Sequence, residues 1–469
     1  MPLRGIGRFW PSVALFYLKA QAPPLAVNTG TVLALEPGGI VWCAGGWQNN
    51  PGGSFLNQGT VYIAGDIRND DPNGFFATSA SPGTLVLNGL TQTLSGQAPI
   101  RTDTLRLLGR EPKILATTLY IDRFLDLGEA ELRTQTYTAS VRNPDPAAIR
   151  RQSGLVSSEA GGALERRTDR SATYLFPVGG HTPLRYRPVE IIPTSAAPHR
   201  FAVRLANVDP NAEGRPRDQL HPDLCQINPL YYHYINRTEG TGAAELRLYY
   251  ESGDPVTGPV AQWKTALWIP TPATAIPNGW ALSAWNDFQD PYFAFSERRL
   301  RLSLTASRET VEVGVPVTLT ASSQPPASTY QWNFGDGTTL AGGGTQNYTY
   351  TAPGTYTVQV SAAPCSDTAR RQIVVIFPSQ ILIPTAFTPN GDGINDFWQP
   401  LVQGEVRRLQ WWIYDRWGMV LAQGEGRTAR WDGRKNGQLC PEGVYVYIVE
   451  AILLDGETFR RSGTLTLLR

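Results

Sequence analysis

Short words of alternating apolar and polar residues recur along the first part of the chain, and they constrain its fold more than any other feature. They begin at Gly30, Asn57, Gly83 and Asp103. In "NQGTVYI" the apolar Val61 and Ile63 lie two positions apart, so one face of that strand would point inward. Stacked coils of such strands would bury a continuous apolar interior. We therefore expect a β-solenoid-like region over residues 23–180, with a sandwich of ordinary hairpins as the alternative.

The composition favours strands throughout the chain. Of its 469 residues, 46 are glycine and 37 are proline, and only 17% are charged, against about 25% in an average soluble domain. Surface helices need charged faces and disfavour glycine and proline. The formal charge is +1, with 41 basic and 40 acidic residues, so no overall field would attract nucleic acid or an anionic membrane. We expect an all-β, multidomain protein that does not bind nucleic acid.

The first 22 residues have the order of a secretory signal peptide. Arg4 and Arg8 precede an apolar stretch from Phe9 to Leu18, which is followed by Ala20-Gln21-Ala22. Basic, apolar and small residues in this order are typical of a segment that directs export and is then removed. Outside this segment, no stretch approaches the ~20 apolar residues that a membrane span requires.

Residues 181–298 have a different sequence pattern from the region of repeated words, and they indicate a second β-domain. The stretch "AELRLYYESGD" places Leu246, Leu248 and Tyr250 at alternate positions, which is the pattern of a half-buried strand. The residues support no more specific assignment for this region.

Residues 299–377 contain "TYQWNFGDGTT" followed by "YTYTAPGTYTVQV". Tyr356, Val358 and Val360 fall on one face of a strand, and Gly335 and Gly337 flank a tight turn. These words resemble the polycystic kidney disease (PKD) domain. The resemblance implies a small immunoglobulin-like sandwich with Trp332 in its core, used as a spacer or adhesive module of extracellular proteins.

Residues 378–469 contain five words in a fixed order: "FTPNGDGIND", "YDRWG", "WDG", "PEGVYVY" and "GTLTLLR". Together they resemble the gliding-motility-associated C-terminal domain of Bacteroidetes proteins, which is the type B sorting signal of type IX secretion. The resemblance implies recognition by the type IX secretion machinery through residues 378–469. It also implies a secreted protein, either released or attached at the outer cell surface.

The loop "FTPNGDGINDFW" carries the candidate metal ligands of the chain. Calcium prefers six to eight oxygen ligands, and the side-chain oxygens of this loop are close together in sequence, although the spacing is not that of an EF-hand. The alternative is a turn whose side chains bond their own backbone. No cofactor is predicted apart from this candidate Ca²⁺. The candidate ligands are Asn390, Asp392, Asn395 and Asp396.

The sequence contains few residues in patterns that could form a catalytic site. No GxSxG or phosphate-binding loop is present, and the histidines (His181, His199, His221 and His233) have no metal-ligand spacing, so we expect them in solvated loops. Paired carboxylates could cleave a glycan. The acids available for this are Asp66, Asp70, Asp71, Asp122 and Asp126. They resemble ordinary turn and surface acids, so we expect no enzymatic activity.

The favoured function is therefore a secreted, non-enzymatic, adhesin-like or structural component of the cell surface. The alternative is an extracellular carbohydrate-active enzyme or glycan-binding protein with its site in residues 23–298, where Trp42 and Trp47 could form a sugar platform. Acids clustered with arginine or lysine on one solenoid face would favour the enzyme. A flat face of Thr, Asn and scattered aromatics would favour adhesion to a glycan or matrix ligand.

The four cysteines are expected to be free, because each falls in a different domain and a bridge within any one domain is excluded. Cys365 with Cys440 is the one pair in neighbouring domains that we consider.

Overall fold

A computed structural model describes residues 26–72, 83–159, 161–363, 365–453 and 456–469. The signal peptide predicted for residues 1–22 lies outside the described residues. The described part of the chain consists of strands and two short 3₁₀ helices, η1 (Pro146–Ala148) and η2 (Pro210–Glu213), so the all-β prediction is confirmed. The chain divides into two compact units, one up to Arg299 and one from Leu300 to Arg469.

The first unit begins with short strands separated by tight turns. These strands are β1 (Ala26–Asn28), β2 (Val32–Leu35), β3 (Ile40–Cys43), β4 (Trp47–Asn49), β5 (Ser54–Asn57), β6 (Thr60–Ile63), β7 (Ile67–Asn69), β8 (Thr84–Leu87), β9 (Gln92–Ser95), β10 (Ile100–Leu107), β11 (Lys113–Ala116), β12 (Leu119–Asp126), β13 (Glu131–Arg133), β14 (Thr138–Val141), β15 (Ile149–Arg150), β16 (Leu155–Ser157), β17 (Ala163–Thr168), β18 (Tyr174–Phe176) and β19 (Val178–Gly180).

These strands stack in parallel as the coils of a β-solenoid. In one sheet β4 pairs in parallel with β1 and β7, through the register Ala26↔Trp47↔Ile67. The same sheet continues in parallel through β9, β11, β13, β16 and β19. A second sheet stacks β3, β6, β8, β10, β12, β14 and β17 in the same way. The β-solenoid-like region is therefore confirmed.

The repeated sequence words form the rungs of the second sheet, with one exception. Val61, Leu85 and Leu105 are in register on β6, β8 and β10, and all three side chains are fully buried. The word that begins at Gly30 instead supplies β2, which pairs with β5 in a separate two-stranded sheet. The first word therefore lies outside the stack, because β3 and not β2 continues it.

Three stacked asparagines fix the register of the first coils. Asn28, Asn49 and Asn69 are buried at equivalent positions of β1, β4 and β7. Asn28 Nδ2 donates to Asn49 Oδ1 at 2.9 Å, and Asn49 Nδ2 donates to Asn69 Oδ1 at 3.0 Å. A slip of the coils would leave these buried amides unpaired, which costs free energy. The ladder therefore holds one stacking register.

The second sheet continues past the solenoid into antiparallel strands. These are β20 (Arg185–Tyr186), β21 (Val189–Pro193), β22 (His199–Ala206), β23 (Leu224–Ile227), β24 (Tyr232–Glu239), β25 (Ala244–Tyr249), β26 (Val260–Lys264), β27 (Leu267–Pro270), β28 (Thr274–Ile276), β29 (Gly279–Trp285) and β30 (Tyr292–Arg298). Strand β17 pairs antiparallel with β22, and the sheet runs on through β24, β30, β26 and β27. A five-stranded sheet, in the order β18-β21-β25-β29-β28, accompanies it.

One hydrophobic core serves the solenoid and these antiparallel strands. The cluster of buried side chains extends from Leu35 to Phe295 without interruption, and it includes Leu164 of the solenoid and Phe201 of the extension. A stack of coils exposes an apolar end unless other structure covers it. The antiparallel strands cover this end of the stack. The proposed division between residues 23–180 and residues 181–298 stays a prediction.

The second unit begins with a sandwich of two sheets. Its strands are β31 (Arg301–Ala306), β32 (Thr310–Glu312), β33 (Pro316–Gln324), β34 (Tyr330–Asn333), β35 (Thr339–Gly342), β36 (Thr345–Thr349), β37 (Gly354–Ala362) and β38 (Ala369–Ile376). The sheet orders are β31-β33-β36 and β32-β38-β37-β34-β35. As predicted, Trp332 is a core residue, with 1% of its surface exposed. Its indole Nε1 donates to the Gly343 carbonyl at 3.1 Å.

The remaining strands build a second sandwich in residues 378–469. They are β39 (Gln380–Leu382), β40 (Ala386–Phe387), β41 (Leu401–Gln403), β42 (Val406–Tyr414), β43 (Val420–Glu425), β44 (Arg434–Lys435), β45 (Gln438–Leu439), β46 (Gly443–Leu453) and β47 (Thr458–Leu467). The main sheet has the order β40-β47-β46-β42-β43. Leu409, Trp411 and Ile413 of β42 are buried, as their alternation predicts.

The cysteine prediction is half right. Cys43 and Cys440 are free and buried, and burial raises the pKa of both thiols. Cys225 and Cys365 are disulfide-bonded, so the expectation of free thiols is wrong for these two residues. Since Cys440 is free, Cys365 does not pair with it.

Candidate functional site

The loop that carries the candidate calcium ligands is anchored at both ends in the core of its domain. Phe387 and Trp398 are buried. Trp398 exchanges two backbone hydrogen bonds of 2.8 Å with Trp431, and its indole donates to the Pro384 carbonyl at 2.7 Å. The Phe387 ring lies 5.2 Å from that of Trp431. The aromatic residues at the two ends of the motif therefore hold an exposed loop between them.

Asn390 and Asp392 form two consecutive turns within this loop. Asn390 Oδ1 accepts from the Asp392 backbone N–H at 3.1 Å. Asp392 Oδ1 accepts from the Ile394 N–H at 2.7 Å, and Asp392 Oδ2 accepts from the Asn390 side-chain amide at 2.9 Å. The hydrogen bonds from Asn390 and Ile394 lower the pKa of the Asp392 carboxyl. These contacts are those of a turn whose side chains bond their own backbone.

Asp396 closes the loop. Its two carboxylate oxygens accept from the backbone N–H groups of Gly391 and Gly393 at 2.7 and 2.8 Å. Asn395 has a φ of 54°, in the left-handed region that asparagine tolerates, and its carbonyl accepts from the Thr388 N–H at 2.9 Å. Within the described ranges no group of three or more His, Cys, Asp or Glu side chains is placed to hold a metal ion. The calcium site at these residues stays a prediction.

The same domain exposes apolar side chains on the outer face of its main sheet. Tyr414 of β42 is in register with Val446 of β46 and Val420 of β43. Val444, Val446 and Val420 are exposed, and Trp417 in the adjacent turn has 84% of its surface exposed. We name Tyr414, Val420, Val444 and Val446 the outer face. Strand β46 is therefore buried on one side only, because nothing in the described part of the domain covers this face.

Both modules of the second unit match known families. Residues 381–467 match the family model of the CHU_C type IX secretion signal domain, and residues 301–376 match that of the PKD domain. The domain of residues 381–467 is a type IX secretion signal domain. The two resemblances drawn from the sequence are thus confirmed. The secretion signal domain implies secretion or attachment at the cell surface.

Several solved structures are similar to parts of the chain at low identity. The fibronectin(III)-like modules of Clostridium thermocellum CbhA are 16% identical, with 35% of this chain and 93% of that chain covered and a TM-score of 0.18. The tetra-tandem repeat of a large adhesion protein is 10% identical, with 60% and 81% covered and a TM-score of 0.22. The four N-terminal Ig domains of Dscam1 isoform 6.9 are 12% identical, with 51% and 80% covered and a TM-score of 0.22. No curated protein matches the chain.

The first unit, which precedes the PKD domain, keeps one of the two candidate sugar-binding tryptophans at its surface. Trp42 has 42% of its surface exposed and stacks on Tyr62 with ring centroids 3.9 Å apart. Trp47 is buried and stacks on Phe55 inside the solenoid. Only Trp42 therefore offers a ring to a ligand, and Trp47 is a core residue.

Three of the acids considered for catalysis tie neighbouring coils together. Asp66, Asp70 and Asp71 each accept a hydrogen bond from a backbone N–H of another coil. The donors are Thr93, Gln97 and Gly52, at 2.7, 3.1 and 2.5 Å respectively. The Arg68 guanidinium and, to a lesser extent, the Gln97 N–H keep the pKa of Asp70 below its usual value, against the opposing effect of burial. These contacts assign the three acids a structural role.

The other acids lie in a line of ion pairs on the outside of β10, β12 and β14. Asp122 lies 2.5 Å from Arg101 and 3.6 Å from Arg142, and Asp126 lies 3.6 Å from Arg106. Asp103, which the sequence reasoning did not single out, also belongs to this line and pairs with an arginine of β12. Acids and arginines thus cluster on one solenoid face, although they neutralise one another from strand to strand.

Two of the four histidines are core residues, so their assignment to solvated loops is wrong. His199 and His233 are buried. His199 Nε2 accepts from the Gly242 N–H at 3.0 Å, and His233 Nε2 lies 3.1 Å from the Arg187 carbonyl. Burial lowers the pKa of His233 to about 4. His233 is therefore neutral at neutral pH and packs as an aromatic side chain.

A lysine is buried inside the solenoid, and no pattern in the sequence predicts its burial. Lys113 lies in register with the buried Gln92. Its ammonium donates to the carbonyls of Gly89 and Leu90 at 2.7 and 2.6 Å. Burial lowers the pKa of Lys113 to about 8, against the opposite effect of Glu111. Its partners are turn carbonyls of the preceding coil, so its role is to close that turn.

Proposed function

We propose that the chain is a non-enzymatic, adhesin-like or structural component of the cell surface, exported through residues 378–469. The observation that carries the proposal is the match of residues 381–467 to a secretion signal domain, directly after a PKD module. A domain that serves export leaves the earlier residues free to perform the extracellular task. The first unit, with its stack of coils, is the part available for that task.

The outer face of the secretion signal domain supports recognition by the type IX machinery. Exposed apolar patches on soluble proteins mark interaction sites, and Val420, Val444 and Val446 lie together on one sheet face. In the PKD module, by contrast, the exposed positions of β37 and β38 are mainly polar, as at Thr355 and Arg371, and Val374 is the exposed apolar residue among them. We assign the outer face as the surface that the secretion machinery contacts.

An extracellular carbohydrate-active enzyme is the second candidate, favoured by the ion-pair line on the solenoid. Burial and the nearby Asp122 carboxylate raise the pKa of Asp103, against the effect of Arg123. Two neighbouring carboxyls with unlike environments can divide acid and base roles. The engagement of Asp122 by two arginines counts against this candidate, because those contacts already satisfy its oxygens.

One experiment separates the two candidates. The mature full-length protein is applied to an array of glycans and matrix proteins, and soluble polysaccharides incubated with it are assayed for new reducing ends or unsaturated ends. We expect retention on the array with no product formed. Product that appears with the native protein and disappears with Asp103→Asn would replace the adhesin proposal with the enzyme.

A further inference from the structure

A cavity of about 200 Å³ lies in the first unit where the last coils of the solenoid meet the antiparallel strands. Its wall includes Ser158, Glu159, Gly180, His181, Asn207 and Glu213. We name it the junction pocket. We propose that it binds a single ring of a neutral sugar. This deepens the proposed function by naming a ligand class, and binding can be measured on purified protein independently of export.

His181 forms one side of the junction pocket and is held by two charged side chains of β13. Its Nδ1 lies 2.6 Å from Arg133 Nη2 and 3.1 Å from Glu131 Oε2. Glu131 also bonds Arg133 at 3.0 Å and accepts from the Ser157 hydroxyl at 2.5 Å. The imidazole is therefore fixed in position before any ligand arrives.

The shape of the pocket depends on the absence of a side chain at Gly180. A Cβ at this position would lie 2.2 Å from Asn207 Cγ. The Asn207 amide is itself fixed, because Oδ1 accepts from Arg185 and Nδ2 donates to the Pro183 carbonyl at 2.9 Å. A methyl group at residue 180 would therefore displace the asparagine and reshape the pocket.

Glu213 also lines the pocket, and one of its carboxylate oxygens accepts no hydrogen bond among the described residues. Its Oε2 accepts from Arg204 and from the Tyr232 hydroxyl, and Arg215 lies 3.6 Å away. Burial alone would raise the pKa of Glu213, but the bonds from Arg204 and Tyr232 bring it below its usual value. In the described part of the chain, Oε1 has no hydrogen-bond donor.

Glu159 supplies further unused acceptors at the rim. Its side chain is exposed, and among the described residues it has no hydrogen bond or ion pair. Unused carboxylate oxygens accept hydrogen bonds and donate none. The pocket therefore suits a ligand that brings several donors, as the hydroxyl groups of a sugar do.

The charges around the junction pocket indicate that the ligand is neutral. Glu131 is balanced by Arg133, and Glu213 has two arginines, Arg204 and Arg215, so the second of these offsets the unpaired Glu159. No net field of either sign would select a cation or an anion. The volume is below the ~300–1,000 Å³ of pockets for drug-sized ligands, which suits one ring at the end or side of a glycan.

The test uses the mature full-length protein and a panel of methyl glycosides of glucose, galactose, mannose and xylose. Binding is followed by NMR titration, with methylammonium and sulfate as charged comparison ligands. We expect at least one glycoside to bind, and neither ion to compete with it. Glu159→Gln should weaken binding about tenfold, whereas Glu36→Gln, a change at another exposed glutamate of the same unit, should leave it unchanged.

A second variant, Gly180→Ala, should abolish binding while the thermal midpoint of the protein shows that it still folds. The proposal is overturned if no glycoside of the panel binds. It is equally overturned if Glu159→Gln and Glu36→Gln bind alike, since the sugar would then lie elsewhere, or if a charged ligand binds in its place. Export of these variants tests the secretion proposal separately, because the junction pocket lies outside residues 378–469.

Discussion

In both the solenoid and the secretion signal domain, buried and outward-facing side chains alternate along the strands. The two regions differ in which residues occupy the outward-facing positions. On the outside of β10, β12 and β14, acids and arginines pair with one another, as Arg101 does with Asp122. On the outside of β42, β43 and β46, one end of the face is apolar and exposed, as at Val420 and Val446, whereas the other end carries ion pairs such as that of Arg460 with Glu450. On the first surface, the charged side chains are paired with one another. The second leaves apolar side chains exposed, as the proposed recognition by other machinery requires.

The largest expected difference between the two regions is in the cost of losing a leucine side chain. Leu105→Ala empties a position that is stacked in the solenoid between Leu85 and Leu125, and it should cost about 2–5 kcal/mol. Leu439→Ala, at an exposed site of the secretion signal domain, should change stability by less than about 0.5 kcal/mol. Denaturant unfolding measures both. Equal costs would show that the apolar surface of residues 378–469 is already covered within the protein.

Acid should destabilise the first unit through His233. Its pKa is about 4 in the folded protein because of burial, against an ordinary value of about 6.5 in the unfolded chain. The unfolded state therefore binds the extra proton first, so stability falls as the pH drops from about 6.5 to 4, by roughly 3 kcal/mol. His233→Phe should flatten this part of the stability curve. An unchanged slope in that variant would contradict the assignment.

All four histidines lie in the first unit. The secretion signal domain therefore lacks this source of acid sensitivity, and near-neutral pH changes should affect the two regions unequally. Amide hydrogen exchange, measured on peptides from the first unit and from residues 378–469, follows the two regions separately.

The asparagine ladder is a feature of the solenoid without a counterpart in residues 378–469. Asn49→Leu should cost about 1–3 kcal/mol, because the Asn28 amide and the Asn69 oxygen each lose a buried partner. Gln48→Leu, at the neighbouring half-buried position, provides the matched control and should cost less. A ladder that contributes nothing would leave the two variants equally stable in urea.

The smallest effect is expected from calcium at Asn390, Asp392, Asn395 and Asp396. If the loop holds the ion, chelator should lower the melting midpoint of residues 378–469 by a few degrees, since a ligand of the native state alone stabilises it by mass action. Asp392→Ala should then remove the difference between samples with and without chelator. Superimposable melting curves for the native protein would leave the loop as a turn that its own hydrogen bonds stabilise.

The sequence predicts features that depend on neighbouring residues and misses those that depend on distant pairing. Val61, Leu85 and Leu105 could be assigned to one interior because each lies in a similar word. The ladder of Asn28, Asn49 and Asn69 could not be predicted, because the three positions are recognised as equivalent only when the register of the coils is known. For the same reason, no short stretch of the sequence predicts the pairing of β17 with β22.

The candidate sites show the same limit. The loop from Phe387 to Trp398 was found because its residues are contiguous. The junction pocket was missed because Glu159, His181 and Glu213 come from separate elements of the chain. The run of apolar residues from Val444 to Val449 indicates a strand, but it cannot show whether a second layer covers each face of that strand.

The most direct test of the difference between the two regions is to remove residues after Phe377. A host with type IX secretion would express either the full chain or the truncated one, and each cell fraction would be probed for the protein. We expect the truncated protein to be folded, resistant to protease and retained in the periplasm. We also expect residues 378–469 to carry an unrelated reporter with its own signal peptide to the outside. Truncated protein found at the surface at the normal level would contradict the assignment, and the domain would then have to be regarded as part of the binding region.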